Sequence, residues 1–469
     1  MKWSDLTIMW CLIGFQAIFG LLTLDKFPVC LDEPYSIFYA QQTMPNMMQE
    51  VLSGNNAPLH FVLLNGWISL FGTSVWAVRS LSLIISLISV GVLFRLSRKM
   101  MSRQFAALAV GLFIFSRLNH FMALEARMYG LFTLFFILLL YSLHQFFVEG
   151  KRNYLWIALW NAGLFYTHYL GVVILLMEIG FLVIMIPKMN PLKWKRVFLS
   201  MGWTIIFLLP GIYWFTERAA AFTAEGTWLA PAKWSDLWVN LIKLFNNQVT
   251  FLVTLFMVLA ILFIRQKKRD NTKKFDWNFL LYWSVGTYLI LFLISVTFSS
   301  VFFIKYLQFL TVPFYLMVAL ILDRKTQRKN GWMRWAPMAL IIPFIFSVKF
   351  VPDVNRETDK LVDYVQSIKK PKTQVFYCPP HYDLTLTYHL DKKIFQSYNQ
   401  TKTLLKNGGF DAIYHARDME LNGQKVIYID FDADFLYPDN DILSRLDEEM
   451  NYVESQSFKG DFKVYLYHP

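Results

Sequence analysis

The chain has 469 residues, of which 56% are hydrophobic and 17% charged, with a formal net charge of +12. Soluble chains average about 25% charged residues, so this balance excludes an ordinary water-soluble protein. Cys11, Cys30 and Cys378 stand at unrelated spacings, which excludes a disulfide scaffold and a Cys/His metal motif.

The apolar residues are gathered into runs of membrane-spanning length. In chain order the pattern predicts spans near Leu6–Leu24, Val75–Leu96, Phe105–Leu118, Tyr129–Val148, Tyr154–Tyr169, Val172–Ile186, Val197–Phe215, Phe251–Ile264, Phe279–Thr297, Val301–Leu322 and Trp335–Phe350. That makes about eleven transmembrane helices, several shorter than the roughly 17–25 residues of a straight span. Between the first two lies a loop, residues 25–74. Its short apolar run Pro58–Phe71 reads as an interfacial or re-entrant helix, and amphipathic segments between Ser36 and Phe71 are expected along the membrane surface.

Basic residues fall in alternate loops: Arg95, Arg98, Lys99 and Arg103; Lys151 and Arg152; Lys188, Lys193, Lys195 and Arg196; the stretch RQKKRDNTKK from Arg265; and DRKTQRKNGWMR from Asp323. The positive-inside rule makes that side, and the N-terminus, cytoplasmic. The positive surplus is then topological, and no nucleic-acid partner is expected. An odd number of spans puts the tail outside. There QVFYCPP, KVIYIDF and KVYLYHP read as strands, and TDKLVDYVQSIKK and NDILSRLDEEMNYVESQ as amphipathic helices. The expected organisation is a membrane domain over 1–350, with a lid loop over 216–248, and a small α/β domain over 351–469 after a linker near Pro352.

The polar residues at the outer mouths of the spans carry the chemistry. They are Asp32 and Glu33 in VCLDEPYSIFYAQ, then Arg79, Glu125, Arg127, His168 and Lys305. An ionisable group in a span costs roughly 2.5–3.5 kcal/mol at the helix centre, so it needs a reason to be there. Cations at one membrane face can neutralise a phosphate leaving group, and a carboxylate can take the proton of an attacking hydroxyl. No nucleotide is supplied outside the membrane, so an activated donor there would be lipid-linked. Plainer readings stand beside these. Asp32 and Glu33 could also be solvated loop charges, Glu125 and Arg127 a structural ion pair, His168 an interfacial histidine, and Lys305 and Arg79 snorkelling cations. His60, His381 and His389 read as ordinary surface or interface histidines. The aromatic residues read as a lipid belt, with Trp228 and Trp234 placed to cover a site.

The chain resembles the GT-C class of membrane glycosyltransferases, in the branch of the dolichyl-phosphate-mannose–protein mannosyltransferases and the lipid A aminoarabinose transferases. LDEPYS follows the first span as in that family's first outer loop. NNAPLHFVLLNGWISLFGTSVWAVRSLS, EARMYGLFTLFFILLLYSL, YTHYLGVVILL and IKYLQFLTVPFYLMVALIL follow in the family's order. The match is close over about the first 190 residues and weaker to Leu322. The resemblance implies that Asp32 abstracts the acceptor proton. Glu33 and Glu125 would assist by positioning the acceptor, tuning Asp32 or, with it, holding a divalent metal ion. Arg127, Lys305, His168 and Arg79 would bind the phosphate of a polyprenyl-linked sugar. Two departures stand out: Asn56-Ala57-Pro58 and His60 replace a His/Asn-Pro-Pro motif and an aromatic residue, and Lys305 replaces an arginine, keeping charge but losing its fork.

The function so implied is inverting transfer of a sugar from polyprenyl phosphate to a hydroxyl of an extracytoplasmic lipid, glycan or protein. The expected setting is a bacterial inner membrane, with the active site and tail periplasmic. Two alternatives remain at this level: a transporter or flippase for a lipid-linked sugar, and an envelope-glycan polymerase or ligase using a lipid-diphosphate donor.

Overall fold

The computed structural model describes residues 3–54, 56–185, 187, 189–225, 229, 231–263, 274–326, 331–349, 356–397 and 400–469. In chain order the helices are α1 (Trp3–Thr23), α2 (Glu33–Ala40), α3 (Met44–Ser53), α4 (Leu59–Phe71), α5 (Val75–Met100), α6 (Arg103–Ile114), α7 (Arg117–Leu124), α8 (Tyr129–Val148), α9 (Tyr154–Thr167), α10 (Gly171–Met185), α11 (Pro191–Glu225), α12 (Trp234–Leu244), α13 (Gln248–Leu262), α14 (Lys274–Leu281), α15 (Thr287–Thr297), α16 (Thr311–Thr326), α17 (Trp332–Trp335) and α18 (Ile341–Ser347). The remainder are α19 (Thr358–Ile368), α20 (Asp383–Leu390), α21 (Lys392–Gln396), α22 (Thr401–Asn407), α23 (Ala433–Leu436) and α24 (Ile442–Glu449), with strands β1 (Gln374–Cys378), β2 (Phe410–Ala412), β3 (Val426–Phe431), β4 (Asn451–Phe458) and β5 (Phe462–His468).

The protein is helical and integral to the membrane. Among the described residues five helical segments are long and apolar enough to cross a bilayer: α1, α5, α8, the first 30 residues of α11, and α14 joined to α15 through one π turn. Two bent pairs reach spanning length only together, α6 with α7 (61°) and α12 with α13 (83°). Five straight spans and two broken ones make up to seven among the described residues, against the about eleven expected; Leu59–Phe71, Gly171–Met185 and Ala336–Ser347 are apolar helices of shorter length. The late span expected over Val301–Leu322 becomes α-helical only at Thr311, after a turn and a short 3-10 segment. Residues 216–248 are mostly the end of α11 and α12; Trp228 and Pro352 lie outside the described residues.

The chain divides into two compact units. The first comprises Met1–Leu22, Met48–Leu63 and Arg79–Lys349. Its core is aromatic and aliphatic, with Trp283, Phe136 and Phe309 fully buried and packed edge to face. At one end the basic breaks meet: Arg98 and Arg103 pair with Asp5, Lys151 pairs with Glu149, and Arg196 donates to the Gly150 carbonyl. Near the end of α11, Arg218 donates to the carbonyls of Ser53 and Gly54 at the close of α3.

The breaks in the two bent pairs are where backbone groups would be orphaned in an apolar medium. One side chain, Asn246, links the two: it sits in one break and serves the backbone of the other. It occupies the α12–α13 break with φ +71°, a conformation asparagine tolerates better than most residues. Its Oδ1 accepts from the Arg117 N–H (2.8 Å), and its Nδ2 donates to the Phe115 carbonyl (2.8 Å) and to Ser347 Oγ (2.6 Å).

The second unit comprises Thr23–Met47, Leu64–Val78 and Phe350–Pro469. Its sheet runs β2-β1-β3-β5-β4, with β1 parallel to β2 and β3, and β5 antiparallel to β3 and β4. Alternation fixes its two buried faces. Val375, Tyr377, Ile427 and Ile429 pack under α19, α20 and α22, while Phe376, Cys378, Val426 and Tyr428 pack against Ile442 and Leu446 of α24. Strands β1, β3 and β5 and helix α19 stand where the sequence pattern put them. The helix expected over NDILSRLDEEMNYVESQ ends at Glu449, and the rest is the edge strand β4, because β5 offers it a pairing partner. Three residues, β2, were too few to show as a strand.

Asn246→Ala removes the partner of both groups at the α6–α7 break. Each orphan costs about 1–3 kcal/mol, so thermal unfolding of the purified protein in detergent is expected well below that of the parent.

Candidate active site

In the helical unit the α6–α7 bend delivers Glu125 to the C-terminal end of α7, with an extended backbone (φ −101°, ψ 133°). Its carbonyl accepts from Ser82 Oγ of α5 at 2.7 Å and from the Arg127 N–H at 2.8 Å. These two bonds tighten Glu125-Ala126-Arg127 into a turn held against α5. Arg79 stands three residues before Ser82, on the same face of α5, and is fully buried.

The turn before α16 brings in the other cation. Asn119 of α7 donates to Thr311 Oγ1 (3.0 Å) and accepts from Gln308 Nε2 (3.2 Å), tying α7 to that turn. Lys305 Nζ then lies 3.5 Å from Glu125 Oε1 and 5.9 Å from the centre of the Phe121 ring. Both partners are nearly buried, with side chains 13% and 3% exposed. His168 ends α9; its Nδ1 accepts from the Leu170 N–H at 3.1 Å, which leaves the proton on Nε2. Its ring stacks edge to face with Tyr306 (5.0 Å) and Phe132 (5.9 Å) and lies 6.1 Å from Tyr129. The Arg127 charge acts on both His168 and His60.

His168 and Lys305 border a small cleft lined also by Tyr129, Thr133, Tyr306 and Gln308, with apolar neighbours. Thr133 Oγ1 and Gln308 Oε1 are buried there with no hydrogen-bond partner among the described residues. A cleft with a lysine, a histidine N–H and the unpartnered Thr133 hydroxyl suits an oxygen-rich anion, while Gln308 Oε1 only accepts and suits a donor hydroxyl.

Asp32 and Glu33 belong to the second unit. Leu31 has φ +60°, a strained setting for a residue with a branched side chain, and α2 starts directly after Asp32. Asp32 is half-buried and Glu33 only 1% exposed. The Asp32 carbonyl accepts the Ser36 N–H at 3.2 Å, and its charge acts on His381 and Tyr382. The structure thus gathers Glu125, Arg127, His168 and Lys305 around one helical break, and holds Asp32 and Glu33 on a turn of the second unit.

Among the described residues no group of three or more His, Cys, Asp or Glu side chains is placed to hold a metal ion. Two of the three histidines read as surface or interface residues depart from expectation. His60 is fully buried in α4, and His389 is hydrogen-bonded inside the second unit, whereas His381 is exposed as expected. Tyr129, Tyr306, Asn119 and Gln308 were not singled out as site residues. The signal for the last two was a polar side chain in an apolar run, which must find partners there.

Residues 55–214, about a third of the chain, match the family model for dolichyl-phosphate-mannose-protein mannosyltransferase. Among solved structures the chain is similar to ArnT from Cupriavidus metallidurans in the apo state, with 12% identity, a TM-score of 0.58 and 97% of each chain covered. The same protein bound to undecaprenyl phosphate matches with 12% identity, a TM-score of 0.56 and the same coverage. The chain has the GT-C fold. No curated protein matches it in sequence.

Within this GT-C fold the Glu125–Lys305 pair is a buried charge pair whose single members are costly alone. Lys305→Met is expected to destabilise by about 3–5 kcal/mol, and adding Glu125→Gln should recover most of that loss. Thermal unfolding of the single and double variants in detergent reads this directly; equal midpoints would mean a solvated pair.

Proposed function

We infer that this protein is an integral-membrane glycosyltransferase that moves a sugar from a polyprenyl phosphate to a hydroxyl of an extracytoplasmic acceptor. The observation that carries the reading is the cleft lined by Lys305 and His168, with the unpartnered Thr133 hydroxyl in it and the Arg127 charge acting on His168. A lipid phosphate supplies the oxygens such a cleft would bind. The family match over residues 55–214 and the fold shared with an ArnT structure holding undecaprenyl phosphate support the same donor class.

In the proposed reaction Arg127, Lys305 and His168 hold the donor phosphate, and Arg79 adds positive charge from α5. Glu125 holds Lys305 in place. Asp32 takes the proton of the acceptor hydroxyl, and Glu33 keeps the acceptor oriented. The acceptor oxygen then attacks the anomeric carbon, and the carbon–oxygen bond to the lipid phosphate breaks on the opposite side. The configuration inverts, and polyprenyl phosphate leaves with its charge neutralised by the cations. The basic end of the helical unit would face the cytoplasm and the site and tail the periplasm of a bacterial inner membrane, following the positive-inside rule.

The test incubates purified protein with radiolabelled polyprenyl-phosphate sugars and candidate acceptors. Loss of a general base costs about 10²–10⁴-fold, so Asp32→Asn should abolish detectable transfer while Glu50→Gln keeps it. Full transfer by Asp32→Asn would remove Asp32 from the role. Movement of the lipid-linked sugar across vesicles without a new glycosidic bond would replace the enzyme with a transporter. Sugar-free polyprenyl phosphate should inhibit as product. Arg127→Gln should weaken that inhibition about tenfold or more, the loss of one charge-assisted hydrogen bond.

A further inference from the structure

We propose that α20 of the C-terminal domain is a clamp that fixes the Asp32 turn, with His389 as the positioning residue on one side of Asp32 and Asp383 on the other. This rests on the reading of Asp32 as the base.

The turn is gripped on both flanks by residues more than 340 positions away. Ahead of Asp32, His389 Nε2 lies 2.7 Å from the Val29 carbonyl oxygen. A carbonyl only accepts, so the imidazole proton is on Nε2 and the ring donates. Thr358 Oγ1 lies 3.2 Å from the same nitrogen and completes its surroundings. Burial lowers the pKa of His389, opposed by the charges of Asp359, Asp363 and Glu33, so the donor is the neutral ring at pH 7. Behind Asp32, the Tyr35 hydroxyl donates to the His381 carbonyl at 2.6 Å and lies 3.3 Å from Asp383 Oδ1. Asp383 is itself held by the Leu384 N–H at 2.6 Å. Farther on, Gln41 Nε2 donates to the Phe395 carbonyl at 3.0 Å, and the Phe38 ring meets the Phe395 ring edge to face.

Asp383 and His389 are six residues apart on α20, near its two ends, so one short helix spans the interval from Tyr35 back to Val29. What it holds is not a relaxed turn. Leu31 sits at φ +60°, which its β-carbon disfavours, so the turn persists only where its surroundings over-determine it. Releasing the Val29 carbonyl lets Leu31 return to an ordinary conformation and turns the Asp32 carboxylate away. A misplacement of about 1 Å at a reacting group can cost about 10²-fold in rate. The tail is then part of the catalytic apparatus through backbone geometry, without touching substrate.

The experiment compares His389→Ala, His389→Gln and Tyr35→Phe in the full-length protein. Gln keeps an N–H donor of similar reach. His389→Ala should lower kcat about tenfold or more while KM for the polyprenyl-phosphate sugar stays within about twofold, and His389→Gln should recover most of kcat. Tyr35→Phe should produce a smaller fall. Hydrogen–deuterium exchange should show faster exchange over residues 29–36 in His389→Ala only, with β1 and β3 protected as in the parent. Unchanged kcat and exchange in His389→Ala would overturn the clamp, as would faster exchange throughout the C-terminal domain. If Asp32→Asn retains transfer, the base assignment falls while exchange over residues 29–36 still judges the clamp.

Discussion

The helical unit depends on one requirement: a chain that breaks its helices inside an apolar medium must supply partners for the freed backbone groups. Asn246 meets it for the α6–α7 break and sits in the α12–α13 break itself. Two changes of direction are thereby tied to one side chain. The first turns α7 so that its end presents Glu125 and Arg127. Without the bend, α6 and α7 would continue as one straight span, with those charges on a helix face rather than at a turn. The break is what permits ionisable residues to collect at a cleft.

The site has its own economy of charge. Lys305 and Glu125 are each costly to bury alone, and each is the other's compensation. The Asn119–Gln308–Thr311 contacts keep the lysine turn in register with α7, so the pair need not supply the tie by itself. A phosphate entering the cleft would meet a lysine already desolvated and oriented. Such preorganisation lets fixed charges stabilise a leaving group without moving to do so.

Much of this was legible in the sequence, for definable reasons. Apolar run length marked most membrane segments, because solvation by lipid leaves a one-dimensional signature. Arg127, His168 and Lys305 stood out because polar groups at span mouths are expensive. The strands of the tail showed through their buried, β-branched and aromatic character. What the sequence hid was set by distant partners. Nothing around Asn246 announces that it serves Phe115 and Arg117. MNYVESQ continues the helical period of NDILSRLDEE and becomes a strand only because β5 lies beside it. His389 reads as a surface histidine until Val29, 360 residues earlier in the chain, is found against it. α11 outran its expected end because the alanines of ERAAAFTAE favour helix and give no stop signal.

The length of α11 carries a geometric consequence. At a rise of about 1.5 Å per residue its 35 residues extend roughly 52 Å, against about 30 Å for the hydrocarbon core of a bilayer. A helix of that length cannot be contained in the apolar layer at an ordinary tilt. About two to four of its turns stand in the headgroup region or beyond. Arg218 is in that outer stretch of sequence, and it grips the carbonyls that close α3. The helix is therefore a mast rooted in lipid, and the surface helix α3 is rigged to it.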